Sequence, residues 1–293
     1  MKILYDTDIG SDIDDALCLA YLLANPSCDL LGITTVTGEA EKRAMIVSAL
    51  CQNAGKNIPI FPGTETPLLI SQKQIQAPQA LALDKWPHQK SFSKGEAVRF
   101  LQETIRNNPH EVTLLATGPL TNIALLFKID EEIPLLLKGL VLMCGVFTNK
   151  VANFGNCDPV EWNALLDPHA AAIVYKSVVK SHKSVGLDVT CQVKLKKEVL
   201  KKRLGVSHLL TPIADFAEIW FQEEGEATFH DPLAAITIFN QDVCIFEKGK
   251  VKVELINEKL KGMTYFTPGD GQNQVALQVN PDKFFDSYFA VFK

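Results

Sequence analysis

The chain has 293 residues, 47% of them apolar and 22% charged, with a formal net charge of −5. This supports a substantial core, in two average domains or one large α/β domain, and the ordinary charge content carries no long Lys/Arg block that would mark a nucleic-acid partner. Seven cysteines stand apart without a paired metal spacing, which argues for reduced thiols in a cytoplasm rather than a disulfide framework.

Met1-Lys2 pass straight into Ile3-Leu4-Tyr5, a short β-prone run that leaves no room for a secretory leader. Ala16, Leu17, Leu19, Ala20, Leu22 and Leu23 then recur at helical spacing, in a stretch far too short to span a bilayer. Between strand and helix, Gly10 permits a sharp turn, and Asp14 or Asp15 can cap the helix. Leu30 to Thr37 reads as a second buried strand, ended by Gly38, and Ala40, Ala44, Val47, Leu50 and Cys51 mark the next helix. Ile58 to Phe61 is a third strand, so the alternation predicts parallel pairing with right-handed crossovers. Residues 64–91 are rich in Pro and Gln without periodicity; a loop this long inside a compact domain reads as a lid.

Regular alternation returns with a helix over 97–105, a strand over 112–116, a helix over 120–127 opened by Pro119, and a strand over 140–143. A polar loop follows over 145–161, then a helix over 168–175 and a strand over 185–189. Lys194, Lys196, Lys197, Lys201, Lys202 and Arg203 read as the wet face of a helix. Beyond them the pattern is mostly helical, over 214–220 and 232–238, with 251–255 and 274–279 as a small peripheral antiparallel pair. The expected fold is α/β: an open, mostly parallel twisted sheet with helices on both faces, Rossmann-like, in a single domain over 1–293, with a mostly helical C-terminal part.

Chemistry concentrates first in Asp6-Thr7-Asp8-Ile9-Gly10-Ser11-Asp12-Ile13-Asp14-Asp15, five carboxylates in ten residues at the end of the first strand. Ionised together in a cleft they repel, and a hard divalent cation with oxygen ligands relieves that repulsion most simply. An EF-hand beginning at Asp6 fails, because Ser11 and Leu17 stand where Gly and Glu are needed. Asp6-Thr7-Asp8 also resembles the start of haloacid dehalogenase-type phosphatases, with Asp6 as nucleophile and magnesium, but that family places its second acidic pair much later. Further polar groups follow other predicted strands. Thr117-Gly118-Pro119-Leu120-Thr121-Asn122 can be a tight turn with Thr/Asn capping, and Met143 precedes Asn153, Asn156, Glu161, Trp162 and Asn163. Phe229-His230-Asp231-Pro232 opens a late apolar helix.

DTDIGSDIDDA resembles the N-terminal signature of the nucleoside hydrolases, Asp-x-Asp-x-Gly-x-Asp-Asp, with two residues inserted. Asp14-Asp15 match the final pair because Ala16 and the helix follow directly, with Asp12 the alternative for its first member. The TGPLTN turn, PVEWNALLDPHAA and the His-Asp pair extend the resemblance over most of the chain in the same order. It implies calcium-dependent hydrolysis of the N-glycosidic bond of ribonucleosides, giving ribose and a free purine or pyrimidine base. It further implies calcium held by Asp8, Asp15, the Thr117 carbonyl and Asp231, with Asp8 as general base. Asp14, Met143, Asn156 (or Asn153), Glu161 and Asn163 would hold the ribose, since sugar hydroxyls need donors and acceptors together. His230 would face the leaving base, on which Phe229, Trp220 or Trp86 could stack. A small-molecule substrate and a homo-oligomer, dimer or tetramer, are expected. Three departures stand against the resemblance: Glu39 replaces a common Asn after Gly38, which alters one polar group near the sugar, while the long loop holds only His88 where a His-Gly motif is usual and Thr190-Cys191 replaces a common Thr-His, both of which bear on the base. The competing readings are the Asp6 phosphatase and a calcium-dependent sugar-binding protein without catalysis.

Overall fold

The computed structural model describes residues 1–148, 160–222 and 224–292. Strands β1 (Lys2–Thr7), β2 (Asp29–Thr35), β3 (Ile60–Pro62), β4 (Val112–Ala116), β5 (Gly139–Met143) and β6 (His182–Val185) are mutually parallel, in the order β6-β5-β4-β1-β2-β3. Their near-continuous apolar runs, such as Leu114 and Leu115 in β4, suit strands covered on both faces. The covering helices are α1 (Asp14–Ala24), α2 (Ala40–Asn53), α3 (Ala97–Asn107), α4 (Thr121–Ile129), α5 (Ile133–Leu136), α6 (Trp162–Leu166) and α7 (Pro168–Lys176). Two buried clusters result, one around Leu17, Ile46 and Leu233, the other around Leu114, Leu126 and Val174. No described helix is long and apolar enough to cross a membrane.

The C-terminal part comprises α8 (Leu187–Thr190), β7 (Lys194–Lys196), α9 (Lys197–Leu204), α10 (Thr211–Trp220), β8 (Glu226–Thr228), α11 (His230–Phe239), β9 (Cys244–Val253), β10 (Thr264–Pro268), β11 (Asn273–Val279) and α12 (Pro281–Ala290). The anticipated antiparallel pairing exists between β9 and β11, but β11 pairs with 244–249 of β9 while 251–253 pair with β10, and the strands continue the main sheet, because β11 also runs parallel to β6. The lysine-rich stretch divides: Lys194 and Lys196 lie in β7, while α9 turns Leu200 and Leu204 inward.

Three local expectations need correction. The strand read at 185–189 lies three residues earlier, and Leu187–Thr190 are helical. Asp14 and Asp15 do not cap α1; they occupy its first turn behind Ile13. The long loop contains a 3-10 helix, Pro78–Lys85, that buries Ala82 and Leu83 and packs on α2 and α10. Five thiols are free, Cys18, Cys28, Cys51, Cys144 and Cys244, as expected. Cys191, however, is disulfide-bonded.

His182 explains why β6 is hard to see in sequence. It is polar, yet it is fully buried, its ring stacked on Tyr175 at 5.7 Å and its Nδ1 beside Asn273 Nδ2 at 3.2 Å. Nε2 has no hydrogen-bond partner among the described residues, and burial pulls the imidazole down to about 4. The unfolded chain therefore binds a proton near the ordinary value of 6.5, which the folded chain refuses until about 4. Stability from this group is full above the unfolded value and is lost as pH falls through that window, by on the order of 3 kcal/mol. His182→Phe keeps the stacked ring and should flatten this part of the stability–pH curve, read from urea midpoints at about pH 7 and about pH 4.5. An unchanged acid-side drop in the variant would contradict the assignment.

Candidate active site

Parallel strands aim their carboxyl ends at one rim, and there β1, β4 and β5 and the start of α11 deliver the polar groups picked out in sequence. Gly10, at φ +115°, turns the chain from β1 toward α1, where a Cβ would meet Ile46 Cδ1 at 2.8 Å. Asp14 and Asp15 then lie beside Asp231 of α11, with one carboxylate oxygen of each within 4.8 Å of the others. Asp231 also donates its backbone N–H to Asp14 Oδ2 at 3.0 Å, and Thr7 Oγ1 donates to Asp15 Oδ1 at 2.5 Å. Asp8 is close enough to push both Asp15 and Asp231 upward. A Cβ on Gly118 would stand 3.0 Å from Asp8 Oδ1 and 2.9 Å from Asp8 N, so the TGP turn needs glycine to pass that close.

Burial raises the pKa of Asp8, Asp14, Asp15 and Asp231; at Asp14, Asp15 and Asp231 repulsion from neighbouring carboxylates adds to it. Asp12 follows suit, pushed up to about 7 by burial and then by its acidic neighbours. Four buried carboxylates cannot all ionise side by side without a counter-charge. Their donor set is oxygen alone, joined across the same rim by the Thr117 backbone, so the residues present fit a hard divalent cation.

The other predicted residues that the structure describes are each held by short bonds. Asn163 Nδ2 donates to the carbonyls of Thr117 at 2.7 Å and Met143 at 3.0 Å, which leaves Oδ1 as its acceptor. Glu161 caps α6: its carboxylate accepts from the backbone N–H of Asn163, Ala164 and Gly145 at 2.6, 3.0 and 3.1 Å. His230 Nδ1 pairs with Thr190 Oγ1 at 2.7 Å, so the threonine that Thr190-Cys191 shares with the usual Thr-His pair serves as its partner, and the departing residue, Cys191, does not. Burial, with Lys194 adding to it, pulls His230 down to about 4. Asn153 and Asn156 lie outside the described residues.

Several expectations fail at side-chain level. Asp6 is fully buried; its Oδ1 accepts from Thr34 Oγ1 and from Asn122 Nδ2, the latter at 2.7 Å, and burial pushes it up to about 7. A nucleophile must reach its substrate, so Asp6 is unsuited to the phosphatase role. Thr121 and Asn122 do not cap α4 but bond Asp167 and Asp6. Both carboxylate oxygens of Glu39 are engaged, accepting from Ala77 N and Lys42 Nζ. His88 bonds the carbonyl of Trp86, whose indole donates to Asp215, and Phe229 is core, packed on Phe284, Phe285 and Tyr288. Trp220 donates to the carbonyl of Glu226. The exposed aromatic beside the ribose candidates is instead Trp162.

Sequence reading also missed Arg43. Fully buried, it donates through Nε to the carbonyl of Gly38, through Nη1 to the carbonyls of Asp8 and Ile9 and the hydroxyl of Ser11, and through Nη2 to the carbonyl of Gln76. Its charge opposes the rise of the Asp8 pKa. The signal was present: Arg43 stands on the Ala40–Val47 face of α2, where an apolar residue is expected. A separate groove of about 1130 Å³ between α7 and the β9–β11 strands, edged by Lys176, Lys180, Lys248 and Lys250, contains none of these residues.

An open, doubly covered sheet with buried acids at its carboxyl rim defines an α/β enzyme. Residues 3–286 match the family model described as inosine-uridine preferring nucleoside hydrolase. Uridine nucleosidase 1 of Arabidopsis thaliana is 31% identical over 86% of this chain and 78% of its own length. The inosine-uridine preferring nucleoside hydrolase of Leishmania major is 30% identical over 97% of this chain and 95% of its own. Among solved structures, a purine-preferring ribonucleoside hydrolase from Gardnerella vaginalis superimposes with a TM-score of 0.83 at 22% identity, covering 100% and 98% of the two chains. The chain therefore belongs to the nucleoside hydrolase family.

Proposed function

We propose that the protein hydrolyses the N-glycosidic bond of ribonucleosides to ribose and free base in a calcium-dependent reaction. The observation that carries this reading is the buried cluster of Asp8, Asp14, Asp15 and Asp231 at the strand ends of a chain in this family. Asp8, Asp15, Asp231 and the Thr117 carbonyl would hold the calcium, since an all-oxygen donor set suits it better than zinc. Bound there, calcium supplies Lewis-acid activation of water and fixes ribose hydroxyls.

The chain's own groups divide the remaining work. Asp8 accepts the attacking water's proton as general base. The transition state resembles an oxocarbenium ion, and the negative charge of Asp14 and Glu161 offsets the positive charge that develops on the sugar. Asn163 Oδ1, left over once its amide hydrogens are engaged, accepts from a ribose hydroxyl, with Met143 beside it. His230 is neutral. With Nδ1 accepting from Thr190, its Nε2–H is the donor turned to the departing base.

The test is a panel of common ribonucleosides with both ribose and free base quantified. Release of the two in equal amounts is expected. Binding of ribose with nucleosides left intact would replace this reading with that of a sugar-binding protein.

A single substitution isolates the leaving-group step. His230→Ala should depress kcat strongly on nucleosides with poor leaving bases, yet leave cleavage of a nitrophenyl riboside, whose nitrophenolate departs as a stable anion, close to wild type. Equal losses on both substrates would show that His230 positions the site instead.

A further inference from the structure

Gln74 belongs to the long loop between β3 and α3, and its side chain enters the carboxylate site. Nε2 donates to Asp8 Oδ2 at 2.7 Å and to Ser11 Oγ at 3.1 Å. Its Oε1 accepts from the Trp162 indole N–H at 2.5 Å. The backbone is fixed as well, because the Gln74 carbonyl accepts from Gly38 N at 3.2 Å and its N–H donates to Gln72 Oε1 at 2.9 Å.

An amide offers two chemically opposite ends, and a carboxylate tolerates only the NH2 end. Indole N–H is a donor alone, so it tolerates only the carbonyl end. Trp162 and Asp8 thus specify the same orientation of Gln74 from opposite sides. Flipping the amide would set oxygen against the Asp8 carboxylate and NH2 against the indole N–H. With Oδ2 engaged, Asp8 keeps its other oxygen for chemistry. Trp162 sits between Glu161 and Asn163 and is 49% exposed, so its ring face remains open while its N–H is engaged.

We propose that Gln74 is a positioning residue that fixes the Asp8 carboxylate, with the Trp162 N–H setting the orientation of the Gln74 amide. This rests on Asp8 acting as the general base. Gln74 lies 66 residues from Asp8 and 88 from Trp162, so the bridge also joins three separate segments at the base. A bridge that only tethered the loop would affect stability and substrate affinity. A positioning bridge acts on kcat, because a misplaced reacting group costs up to about 10²-fold.

The experiment is a double-mutant cycle on the full chain, with steady-state kinetics and melting temperature for each member. Gln74→Ala should lower kcat by about 10- to 100-fold with KM within about threefold of wild type. Trp162→Phe, which keeps a ring but loses the donor, should lower kcat by about 3- to 10-fold, and should add nothing in the Gln74→Ala background. Unchanged kcat in Gln74→Ala, or losses that multiply in the double variant, would overturn the proposal. If Gln74→Ala fails to fold, an unchanged kcat in Trp162→Phe overturns it as well. Asp8→Asn serves as the control. If it retains activity, the general-base reading itself fails; if it is inactive while Gln74→Ala keeps kcat, the positioning proposal alone fails.

Discussion

Asp8→Asn should reduce kcat by about 10²–10⁴-fold on every ribonucleoside that the enzyme cleaves. The substitution preserves shape and leaves an amide oxygen for the Gln74 bond, but an amide cannot take a proton from water. The loss should appear on good and poor leaving bases alike, since every substrate needs the attacking water to lose its proton. This uniformity separates Asp8 from His230, whose removal is expected to be selective. Substrate affinity should change less than turnover, because the predicted sugar contacts at Asp14, Glu161 and Asn163 remain. A loss confined to poor leaving groups would mean that Asp8 acts on the base and not on water.

The second large effect is expected at Arg43. Five contacts from its three nitrogens hold Gly38, Asp8, Ile9, Ser11 and Gln76, and its charge lies against Asp8 and Asp15. Arg43→Met keeps much of the volume but strips those carbonyls of their donor and leaves buried carboxylates without a fixed cation. Removing one member of such a buried charged network costs about 3–5 kcal/mol. Arg43→Lys retains the charge with three donors and should recover only part of the loss. Calcium should stabilise Arg43→Met more than the parent, because a bound cation supplies the missing positive charge, and ligand binding to the folded state adds stability. Urea unfolding with and without calcium reads both quantities; a variant within about 1 kcal/mol of the parent would show that Arg43 is dispensable.

What the sequence disclosed follows from how local each signal is. Strand β4 matches its expected limits, since Val112–Ala116 is an apolar run bounded by polar residues and a Gly-Pro turn. Strand β6 was misplaced because its buried positions carry His182 and Ser184, made tolerable by Asn273 and by Tyr175 and the Cys144 carbonyl. The apolar residues at its end and just beyond, Val185, Leu187 and Val189, drew the assignment forward, and so short a run fits helix and strand alike. Strand β10 was missed because Tyr265, Thr267 and Pro268 face outward on an edge, where no alternation is enforced.

The site divides in the same way. Asp14 and Asp15 are neighbours in sequence and their meeting with Asp231 could be anticipated from a family pattern of short motifs. Arg43 and Gln74 reach Asp8 from 35 and 66 residues away through tertiary contact alone. Glutamine in a proline-rich loop reads as solvent-exposed, and nothing local distinguishes Gln74 from Gln72 or Gln76. Glu39 shows the converse: its position next to Gly38 suggested a sugar contact, but a left-handed backbone at φ +59° and the nearby Ala77 N–H direct its carboxylate to the loop.

The central claim, ribonucleoside cleavage at a calcium-loaded carboxylate cluster, is tested most directly by ribose release from protein stripped of metal. Activity should be abolished by exhaustive chelation and restored by calcium, in proportion to calcium bound in a parallel calorimetric titration. Full ribose release from protein shown to be metal-free would contradict it.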